Sequence, residues 1–229
     1  MNEALEDLII AEMPSSFLKQ LAESQPVIYE EAADLARKSP SWREPEALFL
    51  IPHFRRALFE HAFRLAAGNA RGRLRHFDCR HAGDNCGYGR VQAKRLVLTI
   101  HHVDGPDQFV RPCVSRRQNA AVNKFLDSSF MPDAMIEIPP DLSGAEFVNA
   151  YILHGQQTRK KADKTFTEDF LRIAFPDSEL NRYTRNYNVL DVLQKYAVVE
   201  SAAETAAIED KARPVLNPNK KKKISDAEE

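Results

Sequence analysis

From residue 3 to residue 38 the apolar positions fall at helical spacing and predict two or three short helices. Pro14 breaks the first, and Ser15 or Ser16 caps the second. Pro26 opens another, with Ile28, Ala32 and Leu35 as its apolar face and Ser39-Pro40 as its stop. Glu30 and Glu31 near its start and Arg37 and Lys38 at its end complement the helix dipole. Ser41-x-x-Glu44 before Pro45 has the form of a capping box. After a short turn, a stronger helix is expected from Pro52 to Ala67. Phe54, Leu58 and Leu65 line one side, with Phe59 and Phe63 beside them. Arg56, Glu60 and Arg64, spaced by four, predict an exposed ridge that pairs its own charges. Gly68-Asn69 ends this helix.

Residues 69–93 hold four glycines and no clear period, and read as a long loop. Strand character begins after Arg95, where Leu96 to Val103 is apolar and β-branched. Gly105-Pro106 turns the chain, and Gln108 to Val114 is expected to return as a hairpin partner. Ser115 then caps a short helix to Leu126. Ala134–Ile138, Phe147–Leu153 and Asp169–Phe175 read as three more strands, the last two joined by the polar loop His154–Glu168. That loop carries Arg159, Lys160, Lys161 and Lys164. Helical period resumes from Val189 to Ile208, with Leu190, Leu193, Tyr196 and Ala197 on the inner side.

These elements predict an α+β fold, with an N-terminal helical layer packed on a mostly antiparallel sheet and a long C-terminal helix. One domain is expected over 1–213: helical to 68, a basic loop over 69–93, sheet-rich over 94–176 and helical again over 181–213. The end, 214–229, has low hydrophobicity and the run Lys220–Lys223, and is expected to be a disordered basic tail.

Composition changes this picture little. With 43% hydrophobic and 28% charged residues the chain is globular in character. The acidic start, Met1 to Asp7, lacks the form of a signal peptide. Its longest apolar run, Ala47 to Ile51, is far too short to span a bilayer. Three cysteines, an odd number, argue against a disulfide framework. A cytoplasmic location without a membrane partner is the expectation.

Charge changes the picture more. Residues 51–124 carry fourteen Lys/Arg against five Asp/Glu, a balance of +9, whereas residues 1–50 carry four against ten, a balance of −6. Clustered arginine suits phosphate, because the guanidinium fork makes bidentate contacts. The expected nucleic-acid contacts are Arg71, Arg73, Arg75, Arg90, Lys94, Arg95, Arg116 and Arg117. Phe54, Phe59, Phe63, Phe77 and Tyr88 are interleaved with the basic residues and could stack on unpaired bases, against the plainer reading that Phe54, Phe59 and Phe63, at helical spacing, belong to the core. The competing reading is that the acidic segment folds back and neutralises the basic one.

Candidate chemistry is sparse. His76, Cys79, His81 and Cys86 fall within eleven residues and offer the nitrogen and thiolate that zinc prefers. Only Arg80 separates the two pairs, whereas structural zinc sites join half-sites held apart by a hairpin or helix. His101 and His102 should point to opposite sheet faces, leaving His102 to share a face with Asp104, which could orient it for acid–base work. Cys113 beside Arg111 is a candidate activated thiol, against the plainer reading of an inert strand cysteine. Pro132-Asp133 with Glu137 resembles the start of the restriction-endonuclease pattern, which would hold magnesium. The resemblance covers a handful of residues, and Pro139 stands where that pattern has its lysine.

The expected function is therefore a non-enzymatic nucleic-acid-associated protein, an accessory subunit of a larger complex. Its partners would be the backbone of DNA or RNA and other protein subunits, and no cofactor is expected. A protein-only adaptor is one alternative. The other is a metal-dependent nuclease using Asp133, Glu137 or His102.

Overall fold

The computed structural model describes residues 3–39, 43–70, 72–80, 87–127, 147–161 and 164–212. The chain divides into two units, 1–193 and 194–229. The first holds three N-terminal helices, α1 (Glu3–Glu12), α2 (Ser15–Lys38) and α3 (Glu44–Asn69), and a sheet of six strands. The strands are β1 (Arg75–Arg80), β2 (Gly87–Ala93), β3 (Leu96–His102), β4 (Val148–Lys161), β5 (Lys164–Pro176) and β6 (Tyr183–Asn188). They lie in the sheet in chain order, and every neighbouring pair is antiparallel except β3–β4. Between those two run α4 (Val114–Ala120), a 3-10 turn (Ala121–Asn123) and α5 (Lys124–Asp127), because a parallel pair needs a crossover. A last helix, α6 (Val189–Ala212), starts in the first unit and supplies what is described of the second.

This is the α+β architecture expected, with the helical layer on one face of a mostly antiparallel sheet. On that face Leu96, Leu98 and Ile100 of β3 and Val148, Ala150 and Ile152 of β4 are buried beneath the N-terminal helices. Phe17 and Phe63, both fully buried, meet there with ring centroids 5.6 Å apart. The opposite face carries a second cluster, in which Val103, Val110, Ala120, Tyr151, Leu153, Ala174 and Leu180 pack together. Both faces of the central strands are thus covered, which accounts for their near-continuous apolar sequence.

Polar side chains fix the joints between elements. Glu12, buried at the end of α1, accepts hydrogen bonds from the Arg95 and Leu96 amides and from Arg95 Nε at 2.9, 3.1 and 2.7 Å. Gln25 Nε2 donates to the carbonyls of Gly155 and Phe170 and ties α2 to β4 and β5. Asn123, fully buried, donates to the Asn149 and Pro176 carbonyls and accepts from the Asn149 amide, each at 2.8 Å. Those three bonds dock the crossover on the sheet. At Gly155 the fold admits no side chain, since a Cβ would stand 2.0 Å from the Val103 carbonyl oxygen.

Several expectations are corrected. Pro26 and Pro52 lie inside α2 and α3, so neither opens a helix. Around Pro26 the cost in backbone hydrogen bonds is offset by the buried face that flanks it, including Leu21, Ile28 and Tyr29. Residues 75–80 and 87–93 form a hairpin where a loop was expected. Gln108–Val114 supplies no strand, because β2 and β4 already occupy both edges of β3. The basic stretch after His154 is not a loop either: β4 and β5 pair as far as Lys161 and Lys164. A further strand, β6, falls where helix was expected. The expected strand Ala134–Ile138 and the tail 214–229 lie outside the described residues.

Candidate functional site

The sheet opens between β2 and β3. Their pairing runs from Ala93↔Leu96 to Arg90↔Thr99 and stops there. Beyond that point β2 remains paired with β1 down to Gly87, while β3 follows β4 to His102. Side chains from both faces of the sheet therefore line one cavity of about 160 Å³. Arg56 and Glu60 of α3 enter from the helical face, and Arg116 and Asn119 of α4 from the other. Tyr88, Thr99, Ile100, His101, His102 and His154 complete the wall.

Glu60 is held at the opening by the Gly89 amide, which donates to Oε2 at 2.9 Å. Glycine at 89 is what allows this approach, because a Cβ would lie 2.8 Å from that oxygen and 3.0 Å from His76 Nε2. Burial pushes the Glu60 carboxyl above its usual range, against the pull of the Gly89 amide, Arg56 and Arg64. His76 is shifted the other way: burial lowers its pKa, and Nε2 is enclosed without a hydrogen-bond partner.

The histidines divide between faces as strand alternation requires. His101 lies with Thr99, whose Oγ1 is 2.9 Å from its Nε2, and edge-on to Tyr151. His102 lies on the helical face beside His154, with ring centroids 5.4 Å apart. His154 is fully buried, stacks on Phe59 at 3.8 Å and shares a 3.1 Å hydrogen bond between Nδ1 and the Tyr29 hydroxyl. Burial, then the neighbouring His102, His101 and Arg55, keep its pKa well below the usual imidazole value. Burial also lowers His102, which Asp104 partly opposes. That aspartate lies past the end of β3, in an exposed turn, and so does not share a strand face with His102.

The arginines expected to bind phosphate separate into two groups. Arg75 and Arg90 project from β1 and β2 on the face away from α3, where Arg90 sits 5.1 Å over the ring of Phe77. Arg117 is exposed on α4, and Arg116 reaches the cavity while donating to the Arg111 carbonyl. Arg73 is exposed just before β1. Arg95, by contrast, is committed to buried Glu12, and Lys94 occupies the tight β2–β3 turn at φ 47°. The acidic N-terminal segment does therefore meet the basic middle, at this joint. Arg71 lies outside the described residues.

The expected zinc ligands do not converge. His76 and Cys79 are three residues apart on β1 and so point to opposite faces. His81, Cys86, Asp133 and Glu137 lie outside the described residues. Among those described, no group of three or more His, Cys, Asp and Glu side chains is placed to hold a metal. Cys113 is the residue preceding α4, half-buried and not on a strand.

Sequence reasoning set Glu60 on a solvated ridge and His154 in a loop, yet both line the cavity. A signal for His154 was present. Val148, Ala150, Ile152 and His154 alternate as Leu96, Leu98, Ile100 and His102 do, and the parallel register sets the two series side by side. No helix among the described residues is long and apolar enough to cross a membrane. No protein-family model matches the chain, and no curated protein or solved structure does either.

Proposed function

We propose that the protein binds single-stranded nucleic acid on the face of β1 and β2 turned away from the N-terminal helices. The observation that supports this most is Phe77, 37% exposed on a strand, capped by Arg90 and beside Arg75 on the same face. An exposed ring among guanidinium groups suits a base stacked on an aromatic with its phosphates held by arginine. Arg116 and Arg117 of α4 extend the charge toward the cavity. Fluorescence anisotropy of a labelled oligonucleotide tests the reading at two salt concentrations. Affinity should fall steeply with salt, and Phe77→Ala should cost about 1–3 kcal/mol of binding. Salt-independent affinity, or a Phe77→Ala variant that binds like the parent, overturns it.

A protein-docking role is the second reading, supported by Leu48 and Phe49 near the start of α3, 61% and 79% exposed. A chain that self-associates through these residues and ignores nucleic acid would favour it. Replacing both by serine should then restore a monomer in sedimentation.

A further inference from the structure

We propose that the cleft between β2 and β3 cleaves RNA by internal transesterification, with Glu60 and His101 exchanging protons with the strand and Arg56 and Arg116 holding the phosphate. The proposal rests on the nucleic-acid reading above, because the arginine-rich face leads to the cleft and would deliver the strand.

The reaction sets the geometric demand. The 2′-hydroxyl must lose a proton as its oxygen attacks phosphorus, and the 5′-oxygen must gain one as its bond to phosphorus breaks. Attack is in line, so base and acid must lie on opposite sides of the phosphorus. An intact sheet would keep its two faces apart. Here the pairing ends at Arg90↔Thr99, and the opening lets groups from both faces line one cavity. Glu60 enters from the helical face and His101 from the α4 face, as the register of β3 dictates. Arg56 and Arg116 enter from the same two sides and can neutralise the charge that builds on the equatorial oxygens.

Glu60 is suited to the base role. Oε2 accepts the Gly89 amide, and the other oxygen makes no hydrogen bond among the described residues. Its carboxyl, raised by burial, is a stronger base than one in water and so is closer to what acid–base catalysis near neutral pH requires. Glu60 takes the 2′-hydroxyl proton, the 2′-oxygen bonds to phosphorus, the bond to the 5′-oxygen breaks, and protonated His101 gives that oxygen a proton. The products are a 2′,3′-cyclic phosphate and a 5′-hydroxyl. Glu60 is left protonated and His101 neutral, and proton exchange with solvent resets both without a co-reactant.

The test incubates the full chain, in EDTA, with a single-stranded RNA oligonucleotide and with DNA of the same sequence, while binding to each is followed by anisotropy. The proposal expects RNA to be cut to 2′,3′-cyclic phosphate ends, read by mass, and DNA to be bound but left whole. Glu60→Gln retains an acceptor for the Gly89 amide and should cut the rate by roughly 10²–10⁴-fold with little change in affinity. His101→Gln should do the same. Gly89→Ala displaces the Glu60 carboxylate from outside and provides a second route to the same loss. In Glu60→Gln the acidic limb of the pH–rate profile should disappear.

RNA that is bound in a salt-dependent way but stays intact overturns the proposal and leaves the binding reading standing. RNA neither bound nor cut overturns both. Cutting that needs added magnesium and leaves a 3′-hydroxyl, or cutting at the parental rate by Glu60→Gln, also overturns it.

Discussion

At the scale of single residues, the ionisable groups around the cleft should write their positions into the pH dependence of stability. His154 has its folded pKa depressed by burial, so between that value and the ordinary imidazole pKa the unfolded chain binds more protons than the native one. Stability should therefore hold above about pH 6.5 and fall as the pH drops below it, by at most about 1.4 kcal/mol per pH unit for this one group. His102 and His76 are shifted in the same direction and should steepen the fall. Urea midpoints measured between pH 7 and pH 5 check this, and His154→Phe, which preserves a ring against Phe59, should flatten the slope. An unchanged slope would mean that His154 is protonated in the fold. Glu60 carries the opposite sign. Its raised pKa makes its contribution greatest below the ordinary carboxyl value and removes it as the pH climbs through the folded one. Glu60→Gln should thus be at least as stable as the parent at neutral pH, with the difference closing toward pH 4. This was hard to read in advance, since Arg56, Glu60 and Arg64 have the spacing of a self-pairing ridge. In the fold Arg64 turns to Asp78 at 3.0 Å and Glu60 turns to the Gly89 amide.

At the scale of elements, what sequence revealed depends on where a strand lies in the sheet. The central strands β3 and β4 are buried on both faces and were legible as apolar runs. The edge strands were not. β1 reads Arg-His-Phe-Asp-Cys-Arg and β6 reads Tyr-Thr-Arg-Asn-Tyr-Asn, with polar or half-exposed residues on both faces, so neither shows an apolar alternation. Edges built this way resist pairing with other chains but look like loops. Pro26 misled for a related reason, because long-range burial of Leu21, Ile28 and Tyr29 outweighs a local break. Docking of the crossover was equally invisible, since it depends on one buried amide that finds three backbone partners far away in sequence. Asn123→Ala would leave the Asn149 amide and two carbonyls without partners in the core. It should cost roughly 2–4 kcal/mol, at about 1–3 kcal/mol for each unsatisfied buried group after partial relaxation. Chemical denaturation measures it, and a loss within 0.5 kcal/mol would mean that water replaces the side chain.

At the scale of the first unit, the charge asymmetry of the chain becomes a division between sheet faces, and this separates arginines that bind from arginines that hold the fold. The acidic helices cover one face and reach the basic middle at Glu12, which takes Arg95 out of the surface charge. Arg75 and Arg90 project from the other face, where Phe77 lies, and Arg117 is exposed on α4 beside it. Charge count alone treats these four arginines as equivalent. The fold does not. Replacing Arg75, Arg90 or Arg117 by alanine should weaken nucleic-acid binding similarly across sequences and lower the slope of log affinity against log salt by about one each. Arg95→Ala should leave that slope unchanged and instead lower the denaturation midpoint, because it strips a partner from a buried carboxylate. The two readouts cross over. If Arg95→Ala lowered the salt slope and Arg90→Ala only the stability, strands would have to run along the β2–β3 turn, and the face around Phe77 would lose its claim to the nucleic acid.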